Sequence, residues 1–122
     1  MIPYVDYRHP QDEVKYERRR RLYAWDEEKA RDCSRKHHIT FRLAAQVFED
    51  PDYLSYDDYS EPSEDRVDII GRIQEQRRTV LFVVYVQRSF DADQRPIFRI
   101  ISARKAIPQE VEKYYENLRR AT

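Results

Sequence analysis

Gly71 is the only glycine and Cys33 the only cysteine in a chain of 122 residues. A single glycine excludes the glycine-rich loops that cradle phosphates in Walker-type and Rossmann-type sites. A single cysteine excludes an intrachain disulfide, so a reducing cytosol is the simplest compartment. No apolar run nears the ~20 residues that cross a bilayer. Residues 1–11 are mixed in character rather than forming the apolar core of a signal peptide. The expectation is a cytoplasmic protein with no membrane association. Net charge is absent too, with 23 Lys plus Arg against 23 Asp plus Glu. A neutral total gives no overall pull on nucleic acid, but the charges are unevenly spread. Lys15 and Arg18 to Arg21 face only Glu17, and Asp57, Asp58, Glu61, Glu64 and Asp65 form a stretch with no cation among them. Local patches of this kind can steer a polyanion even when the sum is zero.

The length fits one domain with an extension. We read residues 1–21 as a charged N-terminal extension and 22–120 as a single domain. Gln11 to Tyr23 can be drawn as a helix but has no clean apolar stripe, and Leu22 to Trp25 reads as a short strand or packed lead-in. Asp26 is a good N-cap, followed by Glu27 and Glu28 at the positive end of a helix dipole. Ala30, Cys33 and His37 then share a helical face, and this helix should end at His37 or His38. Thr40 caps a second helix with Phe41, Ala44, Ala45 and Phe48 on one side, closed by Asp50-Pro51. Tyr53–Tyr56 is a candidate short strand. Arg66–Ile73 and Thr79–Arg88 read as strands joined by a hairpin, the second apolar on both faces and therefore central. Pro96–Ala103 is the last strand. Pro108 fits the first turn of a final helix whose apolar face is Val111, Tyr114, Tyr115 and Leu118. The expected fold is α+β, with two N-terminal helices, a three- to four-stranded antiparallel sheet and a C-terminal helix.

Several residues can carry chemistry, and each has a plain structural alternative. Lys36 and His37 close the first helix. There Lys36 can simply favour the negative helix end and His37 can pack, or the imidazole can exchange protons while Lys36 stabilises an anion. Arg104 and Lys105 follow an apolar strand. By strand alternation Arg104 shares a face with Ser102, Ile100 and Phe98, and Arg99 shares the other with Ile97 and Ile101. Arg104 is either a structural ion-pair partner or a guanidinium fork for phosphate. Arg66 and Arg72 share a parity, and with Arg88, Arg99 and Arg104 they can converge on one sheet surface. Tyr114 and Tyr115 read mainly as core, although a phenol near a phosphate can donate a hydrogen bond. Cys33 and His37 have half the spacing of a zinc site, but no second cysteine completes it, so no metal is expected. The run Arg18 to Arg21 is usually a solvated arm.

These pieces, taken in order, resemble the BrnT family over about Tyr23 to Glu116. The matching segments are Trp25-Asp26 with Lys29, then Lys36-His37 followed by Ile39-Thr40-Phe41. Next come Ala44-Ala45 with Val47-Phe48 and Asp50-Pro51, Glu64 with Arg66, Ile70-Gly71, and the apolar strand ending at Arg88. The last are Arg99-Ile100-Ile101-Ser102-Ala103-Arg104-Lys105-Ala106 and Glu110 with Tyr114. Departures are His38 where relatives usually carry glycine, Cys33 where asparagine is common, and Val111 after Glu110 where arginine often follows.

The resemblance implies a RelE-like fold and RNA cleavage that halts translation. It also implies a BrnA-like ribbon-helix-helix antitoxin, which would bring the pair to its operator DNA. RNA supplies its own nucleophile, the 2′-hydroxyl, so no metal or cofactor is required. On this reading His37 transfers the proton, with Glu110 second. Arg88 and Arg104 stabilise the phosphoryl oxygens beside Lys36, Tyr114 orients the phosphate, and Arg66, Arg72, Arg99 and Lys105 bind the RNA. The arrangement requires His37 and Arg104 to share one concavity. The alternatives are a catalytically weakened relative that grips an antitoxin or RNA without cutting, or a regulatory domain that reaches a partner through its N-terminal arm.

Overall fold

Two short strands, β1 (Glu13–Arg18) and β2 (Arg21–Asp26), form a hairpin at the start of the described chain. The computed structural model describes residues 13–120 apart from Arg77 and Ala92, and only the backbone of Arg88, Ser89 and Phe90. Arg19 and Arg20 make the turn with φ of 48° and 70°, the left-handed pair that a two-residue hairpin of matching twist requires. The helix drawn over Gln11–Tyr23 is therefore replaced, within the described residues, by strands. The reason is a period of two: Val14 and Tyr16 lie opposite Trp25 and Tyr23, with charged residues between them facing the other way.

Two helices follow, α1 (Glu27–His37) and α2 (Phe41–Ala45), the latter running into a 3-10 turn over Gln46–Glu49. The Asp26 carboxylate accepts the amides of Glu28 and Lys29 at 2.9 and 3.4 Å. The Thr40 hydroxyl accepts that of Leu43 at 3.1 Å, so both N-caps are those expected. His38 closes α1 in a left-handed conformation, φ 59° and ψ 29°, with its amide bonded to the Ser34 carbonyl.

The remaining elements are β3 (Leu54–Asp58), β4 (Arg66–Arg72), β5 (Val80–Phe90), β6 (Pro96–Lys105) and α3 (Pro108–Arg120). The sheet has six strands in the order β1-β2-β6-β5-β4-β3. Its pairs are antiparallel except β2 with β6, which is parallel. This corrects the expected architecture: the sheet is mixed, larger than three or four strands, and α1 and α2 come after a hairpin rather than opening the domain. The long excursion between β2 and β6 is what allows the chain to return in parallel register.

The sheet is covered on both sides. Tyr23, Trp25, Ile69, Val83 and Ile100 pack toward Cys33, Phe41, Ala44 and Phe48 of the α1/α2 side. Ile70 and Val80, with Leu54 and Phe82, pack toward Tyr114, Val111 and Leu118 of α3. Gly71 is required by a close approach, since a Cβ there would lie 2.8 Å from Val47 Cγ1 and 3.1 Å from Asp50 Oδ2.

Candidate nucleic-acid interface

Strand register decides which charged side chains meet. On β4, Arg66, Asp68, Ile70 and Arg72 lie opposite Val86, Val84, Phe82 and Val80 of β5, and Ile70, Val80 and Phe82 belong to the α3 side. On β6, Arg104 and Ser102 lie opposite Phe82 and Val84. The pairing then slips: Val84 faces Ser102 while Tyr85 faces Ile100, leaving Ile101 as an extra, bulged residue. Beyond the bulge Arg99 lies opposite Val86. Arg66, Arg72, Arg99 and Arg104 therefore share the α3 face, and the simple alternation that put Arg99 opposite Arg104 is corrected by the bulge.

Each of these arginines is held by a partner. Arg104 grips Glu110 with both terminal nitrogens, at 2.8 and 3.0 Å, and its guanidinium carbon lies 4.2 Å from the centre of the Phe82 ring. Burial pushes the Glu110 carboxyl up, but the bonds from Arg104 and from the Ile107 amide outweigh it, and the net shift is downward. Arg66 Nε donates to Glu64 at 2.9 Å, and Arg99 Nη1 lies 3.6 Å from Glu13. Arg72 Nε donates to the Tyr114 hydroxyl at 2.9 Å, and that hydroxyl donates to Asp50 Oδ2 at 2.6 Å. Tyr114 is fully buried, and burial pushes its phenol well above the ordinary range, with Asp50 adding to the effect. Its place is an interior clamp on Arg72 and Asp50.

Asp68, not among the residues expected from the sequence, lies on this same face between Arg66 and Ile70. Burial raises its carboxyl to about 7, with Asp58 pushing the same way and Arg104 pulling back. Asp58 is correspondingly held down at about 2, chiefly by its hydrogen bond with Asp68 and then by Ser60. The signal available in the sequence was parity: Asp68 is two residues from Arg66, in a strand where aspartate is disfavoured.

Lys36 and His37 do not join this set. They end α1, whose Cys33 thiol donates to the Ala103 carbonyl at 2.9 Å on the α1/α2 side of β6. Arg104, the next residue after Ala103, points to the opposite side. The concavity expected to hold both His37 and Arg104 is therefore not formed, because adjacent strand residues project to opposite faces. Lys105 lies opposite Leu81, on the same side as His37. Arg88 occupies the second slip in register, between Gln87 and Ser89, and its side chain lies outside the described residues.

Several arginines on one face of an α+β sheet suit a polyanion, because guanidinium forks match phosphate oxygens. Residues 25–110 match the model of the BrnT family, described as the ribonuclease toxin of type II toxin-antitoxin systems, and the chain belongs to that family. The match runs from the end of β2 to the first turn of α3, so it contains Arg66, Arg99, Arg104 and Glu110. Membership implies an antitoxin partner and an RNA target. A comparison with curated proteins gives no match. Among the described residues no helix is long and apolar enough to cross a membrane.

Proposed function

We propose that this chain is a metal-independent endoribonuclease that cuts RNA within the chain and thereby arrests translation in the cytoplasm. We place its toxin domain at 22–120, RelE-like in plan, with β1 of the preceding segment added to the edge of its sheet. The observation that carries the reading is the convergence of Arg66, Arg99 and Arg104 on one sheet face. These three would hold the scissile phosphate and its neighbours, with charge on the pentavalent phosphorus spread over their donors. Glu110 holds the Arg104 fork in the free protein and gives it up to phosphate, and Tyr114 fixes Arg72. Lys36, His37 and Lys105, on the other side of the sheet, would touch flanking RNA. A BrnA-like ribbon-helix-helix antitoxin would neutralise the toxin and take the pair to operator DNA.

The test is direct. The purified chain should cleave RNA in the presence of a chelator, and its expression in bacteria should stop growth. Arg104→Ala should lower cleavage by about a hundredfold or more while the circular dichroism spectrum is kept. An Arg104→Ala chain that is unfolded would mean that the Glu110 pair serves the fold.

One observation favours a second reading, a weakened module that binds without cutting. Arg66, Arg104 and Arg99 already have glutamates beside them, and phosphate must displace these before it gains the forks. Harmless expression with retained antitoxin binding would select this reading.

A further inference from the structure

We infer that the Asp68 carboxylate accepts the proton of the 2′-hydroxyl during RNA cleavage at this face, an assignment that rests on the ribonuclease reading above. Two buried side-chain atoms among the described residues lack a hydrogen-bond partner, Asp68 Oδ1 and Arg99 Nη2. One is an acceptor and the other a donor. Both belong to the α3 face, two strands apart and offset by two residues along them, which at a strand spacing of ~4.8 Å and a rise of ~3.3 Å per residue separates their backbones by roughly 12 Å before the arginine reaches inward. Orphaned buried polar atoms are costly, and where they persist they call for a role.

The chemistry of a ribonucleotide matches this pair. Its 3′-phosphodiester asks for donors, and the adjacent 2′-hydroxyl asks for one acceptor. Arg66, Arg99 and Arg104 provide the donors. In the free protein Glu64, Glu13 and Glu110 are occupied by those arginines, and when Arg104 turns to phosphate Glu110 keeps the Ile107 amide, so the choice of Asp68 rests on its spare buried oxygen and raised proton affinity. The groups facing Asp68 are Asp58 from β3, Arg66 from its own strand, Arg104 from β6 and Glu110 from α3, and among the described residues Asp68 alone of the carboxylates has a spare buried oxygen. A base works best when its proton affinity lies near the working pH, and Asp68 titrates at about 7. His37 stands on the other side of the sheet. Oδ1 is shielded in the free protein, so RNA reaches it once the arginine side chains leave their glutamates for phosphate. Arg66 and Arg104 retain 26% and 34% exposure and are free to make that exchange.

In the step itself the 2′-hydroxyl gives its proton to Asp68 as its oxygen bonds to phosphorus. The bond from phosphorus to the 5′-oxygen breaks, and that oxygen takes a proton from water. Asp68 then returns its proton to the hydroxide left behind. The products are a 2′,3′-cyclic phosphate and a free 5′-hydroxyl.

The experiment is a single-turnover rate profile on a ribo-oligonucleotide, from about pH 5 to 9. The wild-type rate should climb through neutrality and level off. Asp68→Asn should lose about a hundredfold or more in rate together with that climb, while still binding a 2′-deoxy analogue. Asp58→Asn, which removes the neighbouring charge, should keep activity and move the climb down by about one pH unit. That variant keeps the assignment testable if Asp68→Asn fails to fold. A climb that persists in Asp68→Asn, stays in place in Asp58→Asn, or disappears in His37→Gln would overturn it. RNA left intact by the wild type would overturn the ribonuclease reading, and this assignment with it.

Discussion

Arg99 and Arg104 stand on the same face of the sheet although an odd number of positions separates them. The extra residue is Ile101, which has no partner on β5. The bulge keeps Ile100 in the α1/α2 core while Arg99 remains on the α3 face, opposite Val86. The geometry of the proposed phosphate site is thus a consequence of one unpaired residue.

Removing Ile101 should therefore leave Arg99 on its face of the sheet. A deletion closes the ladder with Ile100 directly after Ser102, so Tyr85 still faces Ile100 and Val86 still faces Arg99, and only the local bend and twist of the bulge are lost. We expect the deletion to keep cooperative urea unfolding, and a loss of cooperativity would show that the bulge itself is needed by the fold. Ile101→Ala, at a half-buried position, should cost only about 1 kcal/mol.

Asp68 and Asp58 give the stability a pH signature. An unfolded aspartate titrates near ~3.9, and the folded Asp68 carboxyl titrates at about 7. The stability that its neutral form contributes is complete below the unfolded value and is lost as pH rises through about 7. Asp58 has the opposite sign: its contribution is present above the unfolded value and is lost as pH falls through about 2. Between these limits the pair holds one proton. Thermal melts at mildly acidic and mildly alkaline pH should show Asp68→Asn gaining on the wild type as pH rises. A constant difference between the two would count against a buried, titrating carboxyl.

Tyr114→Phe isolates one hydroxyl. That group bridges Arg72 Nε and Asp50 Oδ2, and Asp50 is 2% exposed. Asp50 would keep the amides of Arg72 and Asp52 but lose its phenol donor. The expected cost is about 1–3 kcal/mol, read as a lower urea midpoint with an unchanged slope. A neutral substitution would show that water replaces the phenol.

Much of this was readable from residues alone, and the omissions share a cause. The two N-caps, Asp26 and Thr40, and the central strand through Val80–Phe90 follow from local chemistry. So does the shared face of Arg66 and Arg72, which needs only an uninterrupted strand. The β1–β2 hairpin was hidden because its apolar set is only Val14 and Tyr16 on one strand, interrupted by Lys15 and Glu17. The parallel β2–β6 pair depends on residues over seventy positions apart. The bulge at Ile101 leaves no mark in a run of branched and small residues, so Arg99 was assigned to the wrong side. His37 was grouped with Arg104 through motif order, which says nothing about which side of a strand a residue takes.

His38 offers the cleanest backbone test. It ends α1 at φ 59°, ψ 29°, where a side chain crowds the following carbonyl at a cost of roughly 1–2 kcal/mol. Glycine adopts that conformation freely. Glycine also gives the unfolded chain more freedom, which offsets part of the gain. The net effect of His38→Gly should be a stabilisation of about 0.5–1 kcal/mol, seen as a raised melting temperature, with His38→Ala no more stable than the wild type. Because Lys36 and His37 occupy the last turn before this corner, the glycine variant should leave their helix intact, with the Ser34 carbonyl still bonded to the amide of residue 38. A loss of stability in His38→Gly would show that the imidazole, and not the backbone, holds the corner.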